Sequence, residues 1–305
     1  MHLLKISDLK KTQLEALIER SLVLKSMRKR GEEHTPLKGK TLGMIFEKPS
    51  TRTRVSFEAA MYQLGGNAVF LSHGDSQIGR GEPVRDTSRV MSRYVDGVMM
   101  RTFAHSIIDE FAKYSSVPVI NGLTDKHHPC QVLADIMTVI EKKGGFEGLK
   151  FVWVGDGNNM ANSWIEAAAK LSLDLTVACP AGYEPDKEIL KKAKAKKDSK
   201  IEVTNSFEAA MKDADVINTD VWASMGQETE KEKRAKAFAG FEVNEAAMKL
   251  CKEDAVVLHC LPAHRGEEIS DGVIEGANSV VWDQAENRLH VQKAVLEWLI
   301  GGIEP

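Results

Sequence analysis

Short apolar runs alternate along this chain with longer stretches in which apolar residues recur every three or four positions. Runs at 41–46 (TLGMIF), 67–72 (NAVFLS), 97–100 (GVMM) and 117–120 (VPVI) predict strands. Runs of that length that are nearly all apolar suit strands covered on both faces. Between the first two, Phe57, Ala60, Met61 and Leu64 stand at i, i+3, i+4 and i+7, the spacing of one helix face. SIIDEFAKY (106–114) reads as another helix. A further one carries Leu133, Ile136, Met137 and Ile140 on one side, with Gly144 as its stop. The pattern then restarts. Strands are predicted at 149–155, 173–179, 201–204, 215–219, 255–260 and 279–282, with helices near 160–171 and from about 284 to 300. Strands each followed by a helix predict an α/β fold with parallel sheets, and the restart near EKKGGFEGLK places a domain boundary there.

Composition narrows the class. The chain has 305 residues, 43% hydrophobic and 28% charged, with a net charge of -3. That balance offers nucleic acid or an acidic membrane no global attraction, so any anion site must be a local cluster. No run is long and apolar enough to predict a membrane span, and the first twenty residues carry acids, unlike a signal or transit peptide. Cys130, Cys179, Cys251 and Cys260 are widely spread and form no CxxC pair, which fits a reducing, cytoplasmic setting. The lysine-rich stretches 187–197 and 228–238 read as solvated helix faces.

Candidate chemistry collects after the predicted strands, where open parallel sheets bind ligands. EKPSTRTR follows 41–46, Arg101 follows GVMM, and NGLTDKHHPCQ overlaps and follows VPVI. GDGNN follows 151–154, DVWASMG begins where DVINT ends, and HCLPAHRG begins within 255–260. A helix start leaves N–H groups unpaired and carries partial positive charge, so it favours anions. Ser50, Thr51 and Thr53 add hydroxyls there, and Arg52 adds a planar fork matched to phosphate oxygens. Arg54 lies roughly 200° further around the helix and is expected to pair with Glu58 instead. The plainer alternative is a capped helix with surface arginines. HHPCQ repeats the design, with Pro129 at a first helical position, Gln131 in the first turn and His128 beside them. Arg101, His128 and a threonine hydroxyl could hold a carbonyl oxygen that gains negative charge. His259 and Cys260 match no metal-ligand spacing and, as strand neighbours, should point to opposite faces. GDGNN lacks the third glycine of a dinucleotide fingerprint and reads as a tight turn.

Taken in order, STRTR (50–54), SQIGRGE (76–82), MRT (100–102), HPCQ (128–131), GDGNN (155–159), DVWASMG (220–226), HCLPAHRGEE (259–268) and DQAENRLHVQKA (283–294) resemble the ornithine carbamoyltransferase family over nearly the whole chain. STRTR marks the wider carbamoyltransferases; HPCQ, SMG and HCLP mark the ornithine branch. The resemblance implies two doubly wound parallel-sheet domains joined by helices: 1–142 with the C-terminal helix 285–305 packed back on it, and 143–284. It implies homotrimers with active sites between subunits, the substrates carbamoyl phosphate and L-ornithine, and no metal or cofactor. On the same grounds Ser50, Thr51, Arg52, Thr53 and Arg101 grip phosphate, with Gln77 from a neighbouring subunit. Thr53, Arg101 and His128 face the carbonyl oxygen, and Gln131, the Cys260–Leu261 backbone and Arg288 meet the carbamoyl group. Asn159, Asp220, Ser224 and Met225 form the ornithine site, with Asp220 and Cys260 orienting the amine. An acceptor such as putrescine, a carbamoyl phosphate-binding subunit without catalysis, a metal hydrolase and an acylated Cys260 stand as the alternatives.

Overall fold

A computed structural model describes residues 1–72, 74, 81–223 and 228–305. The chain divides into two compact units, Met1–Met137 with Glu286–Pro305, and Thr138–Ala285.

The first unit is built on a four-stranded sheet of β1 (Thr41–Phe46), β2 (Asn67–Ser72), β3 (Gly97–Arg101) and β4 (Val119–Leu123), in the order β2-β1-β3-β4. Every pairing is parallel. Its helices are α1 (Lys11–Lys29), α2 (Thr51–Gln63), α3 (Val84–Tyr94), α4 (His105–Tyr114) and the start of α5 (Pro129–Lys143). Phe57, Ala60, Met61 and Leu64 are fully buried, so the predicted stripe is the inward face of α2. Ile45, Val98, Met100 and Val119 from the strands pack with Ile108, Phe111 and Ala112 of α4.

The second unit holds β5 (Lys150–Val154), β6 (Asp174–Ala178), β7 (Lys200–Thr204), β8 (Val216–Thr219) and β9 (Val256–His259), in the order β7-β6-β5-β8-β9, again all parallel. Its helices are α6 (Asn159–Leu171), α7 (Lys187–Lys194), α8 (Phe207–Met211), α9 (Lys231–Ala237), α10 (Glu245–Met248) and α11 (Asp271–Ile274). The core joins Val152, Val154, Ile217 and Val257 to Trp222, Phe238 and Phe241.

The final helix, α12 (Val281–Leu299), belongs to the first unit from Glu286 onward. It begins earlier than its pattern predicts, and 279–282 is not a strand. Ser279 makes only an isolated bridge to Val257, two backbone bonds to Val257 hold the segment, and the chain then turns helical. Two hydrogen bonds do not sustain a strand once the chain leaves the sheet edge.

Both sheets change direction at one point in their strand order, between β1 and β3 and between β5 and β8. There the neighbouring strand ends leave a crevice at their carboxyl edge. Phe46 lies beside Arg101 at the first and Val154 beside Thr219 at the second. The STRTR, MRT, GDGNN and DVW segments therefore leave the sheets at the two switch points, while HHPCQ and HCLPAHRG follow the edge strands β4 and β9.

Candidate active site

In the first unit, Ser50 caps α2, its side chain accepting from the Thr53 N–H at 3.2 Å. The first intrahelical backbone bond runs from Arg54 N to Ser50 O. The N–H groups of Thr51 and Arg52 find no acceptor among the described residues, as a helix start requires. The Arg52 guanidinium is half-buried and makes no ion pair or hydrogen bond with a described residue. Arg54 is committed elsewhere, to Glu58 at 3.0 Å and to the Phe70 ring at 3.8 Å, as its position on the helix predicts.

Thr53 is the convergence point. It is 1% exposed, and its Oγ1 accepts from Arg101 Nη1 at 3.4 Å and from Arg288 Nη2 at 3.3 Å. Arg101 comes from the end of β3, where the register against β4 shifts between Met100 and Arg101; such a shift re-aims a side chain. Arg288 comes from α12 and also donates to Gln131 Oε1 at 2.6 Å. Gln131 in turn donates to Asp135 Oδ1 at 2.8 Å, which fixes which end of its amide meets the arginine. His128 accepts backbone bonds at the start of α5 and is buried. Burial first, then the charges of Arg288 and Arg101, hold its imidazole well below the ordinary histidine value. It is a neutral imidazole among cations, suited to donate or accept a hydrogen bond but not to carry charge. Cys130 is fully buried, with its thiol pushed up to about 11 by burial, and is inert packing.

The sequence did not single out the braces of this loop. Lys48, buried, pairs with Asp125 and lies 4.2 Å from the Phe103 ring centroid. Glu47 accepts from Phe103 N at 2.8 Å. Their neighbours come from distant loops, so no local pattern marks them.

In the second unit Asp220 follows β8. Its Oδ2 accepts from Asn158 Nδ2 at 3.1 Å, and its Oδ1 from Val221 N at 2.8 Å and Cys260 Sγ at 3.1 Å. Asn158 is also the N-cap of α6, which fixes its side chain, and Asn159 begins that helix almost fully buried. At Gly157 an added Cβ would meet the Glu184 carbonyl carbon at 2.3 Å. Glycine is therefore what lets the 155–158 loop pass against the Tyr183–Pro185 backbone.

The expectation about His259 and Cys260 is corrected. β9 ends at His259 and Leu261 has φ 58, so strand alternation stops before Cys260. Ligand-type atoms of Asp220, His259 and Cys260 lie within 4.8 Å of one another. Both His259 nitrogens are nonetheless committed, Nε2 to buried Glu268 at 3.0 Å and Nδ1 accepting from Leu261 N at 2.8 Å. The imidazole has no lone pair left for an ion in this arrangement. Gln77, Ser224 and Met225 lie outside the described residues.

Two open parallel sheets wound with helices, with two guanidinium groups meeting on Thr53 beyond the strand ends of the first, place the chain in the open parallel α/β class. A family model described as aspartate/ornithine carbamoyltransferase, carbamoyl-P binding domain, matches residues 1–141, and the corresponding Asp/Orn binding domain matches 147–299. The chain is 58% identical over 301 residues to an ornithine carbamoyltransferase of Pelobacter propionicus, covering 99% of each. The Geobacter sulfurreducens relative of that name is 58% identical over 299 residues, covering 98% of this chain and 99% of the relative. Among solved structures, ornithine carbamoyltransferase from Pyrococcus furiosus superposes with a TM-score of 0.95 at 53% identity, covering 99% of this chain and 97% of that one. The anabolic ornithine carbamoyltransferase of Campylobacter jejuni gives 0.92 at 44%, covering 98% of each. The chain belongs to the aspartate/ornithine carbamoyltransferase family.

Proposed function

We propose that the protein transfers the carbamoyl group of carbamoyl phosphate to the δ-amine of L-ornithine, giving L-citrulline and phosphate. The observation that carries this reading is the meeting of Arg101 and Arg288 on Thr53, beside neutral His128. In a site closed to water, such donors act on developing charge far more strongly than they would in solvent. Carbamoyl phosphate is assigned to Ser50, Thr51, Arg52, Thr53, Arg101, His128, Gln131 and Arg288, the residues of 1–142 with 285–305. Cys260 and Leu261 are proposed carbamoyl contacts from the family likeness, and Gln77 a contribution from a neighbouring subunit.

The reaction needs a neutral amine, whereas an alkyl ammonium has a pKa of about 10.4. Asp220, steadied by Asn158 and Cys260, is the group assigned to orient the amine and help it lose its proton. Ornithine is assigned to residues 143–284, through Asn159, Asp220, Ser224 and Met225. Amine attack builds negative charge on the carbonyl oxygen, which Thr53, Arg101 and His128 stabilise by hydrogen bonds. Phosphate then departs toward Arg52 and the start of α2, where positive charge and free N–H groups receive it. No covalent enzyme intermediate is required.

A homotrimer is proposed as well. Val55 and Tyr62 on α2 are 56% and 82% exposed, and Val69 on the outermost strand β2 is 47% exposed. Arg54 over Phe70 joins that helix to that strand. An apolar surface beside an open strand edge calls for a partner. A cytoplasmic role in arginine synthesis completes the proposal, supported by the anabolic relative. Among the described residues no helix is long and apolar enough to cross a membrane.

Isotope-traced citrulline formation with ornithine, putrescine and aspartate as competing acceptors tests the activity. A higher kcat/KM for putrescine overturns the choice of acceptor. Exhaustive chelation is expected to leave the rate unchanged; a loss restored by a divalent ion would contradict the metal-free mechanism.

A further inference from the structure

Helix α9 lies in a lysine- and glutamate-rich segment that reads as solvated, yet Arg234 within it is 7% exposed. Its Nη1 donates to Asp156 Oδ2 and to the Trp222 carbonyl, both at 2.9 Å. Its Nε donates to Glu230 Oε2 at 3.1 Å, and the guanidinium carbon lies 5.1 Å from the Tyr183 ring centroid. Trp222 is stacked on Phe238, at 5.8 Å and 21°, and the Phe238 N–H returns to the Arg234 carbonyl. The placement of these partners matters. Trp222 stands two residues after Asp220. Asp156 stands two residues before Asn158, whose amide holds Asp220 Oδ2. One guanidinium therefore ties together the two chain segments that position the Asp220 carboxylate.

We infer that Arg234 is a positioning residue for the acceptor amine, fixing Asp220 through the Trp222 carbonyl and through the Asp156–Asn158 turn. This rests on the reading of Asp220 as the amine's partner. Burial, with the charge of Asp220 adding to it, raises the Asp156 carboxyl above its ordinary value, and the Arg234 cation opposes that rise. Arg234 thus helps to keep the turn charged and anchored. Lysine would supply a point charge to Asp156 but not the planar fork that meets a carboxylate, a carbonyl and a ring together. A small displacement of a group that handles a reacting amine costs heavily, on the order of a hundredfold per ångström.

The test compares the wild type with Arg234→Gln, Arg234→Lys and Asp156→Asn by steady-state kinetics, with carbamoyl phosphate affinity measured by calorimetry on each. Arg234→Gln is expected to raise the ornithine KM by about tenfold or more and to lower kcat, with carbamoyl phosphate Kd held within about twofold. Arg234→Lys should recover part of the loss, leaving the ornithine KM about threefold high, and Asp156→Asn should move it in the same direction. A purely structural role gives less folded protein with both KM values unchanged, and that result overturns the inference. So does an equal loss of carbamoyl phosphate affinity. If Arg234→Gln yields no folded protein, a wild-type ornithine KM in Arg234→Lys overturns it instead. Wild-type protein that makes no citrulline in this assay sinks the proposed activity; an active wild type with unmoved variants sinks only the role of Arg234.

Discussion

Arg52 and Arg54 sit two residues apart in one motif, and the structure gives them different surroundings. Arg54 spends its charge on Glu58 and Phe70, while Arg52 has no partner among the described residues. Arg52→Ala should raise the carbamoyl phosphate KM by about thirtyfold or more, or about 2 kcal/mol, from loss of a charge-assisted contact. Arg54→Ala, losing a surface pair, should change it less than about threefold. A wild-type KM in the Arg52 variant would contradict the grip. At His128 the lowered pKa sets the sign of the pH response. A depressed histidine is neutral above its folded value and gains charge only as pH falls well below 6.5. The rate profile should therefore show no imidazole step near neutrality, and His128→Ala should lower kcat by about a hundredfold or more. A step near pH 6.5 that His128→Ala abolishes would overturn the assignment of a neutral donor.

At the scale of elements, α12 is held by buried polar groups that the apolar pattern does not announce. Glu297, 1% exposed, takes two hydrogen bonds from Arg20 of α1, at 2.7 and 2.8 Å, and a third contact from His34. Burial alone would raise its pKa, but Arg20 and His34 outweigh that and hold it low. His290, also buried, is pushed down to about 4 by burial. Both shifts make stability fall as pH is lowered, in different windows. The His290 contribution is present above about 6.5 and fades as pH falls toward about 4; that of Glu297 is present above about 4.5 and is lost below it. Urea unfolding should show stability declining from about pH 6.5 downward, and His290→Gln should flatten that upper limb. Glu297→Ala, which leaves Arg20 its His34 contact and partial access to water, should cost about 2 kcal/mol at pH 7. A cost below about 1 kcal/mol would place the anchoring of α12 elsewhere.

At the scale of the whole molecule, the proposed trimer makes the exposed face of α2 and β2 an interface. Tyr62→Asp should shift the solution mass by light scattering from three chains toward one; an unchanged trimer would locate the interface on another face. The strand-and-helix alternation, the parallel sheets and the helix starts that follow β1 and β4 were all legible in the sequence. They depend on local periodicity and on the chemistry of helix ends, which a chain carries wherever it folds. What only the tertiary structure decided is which of those groups meet. Arg288 reaches Thr53 from 235 residues further along, Asn158 finds Asp220 across neighbouring strand ends, and Arg234 hides among lysines that face water. Those meetings depend on strand order and on where each sheet reverses, properties of the assembled sheet that no stretch of sequence contains by itself.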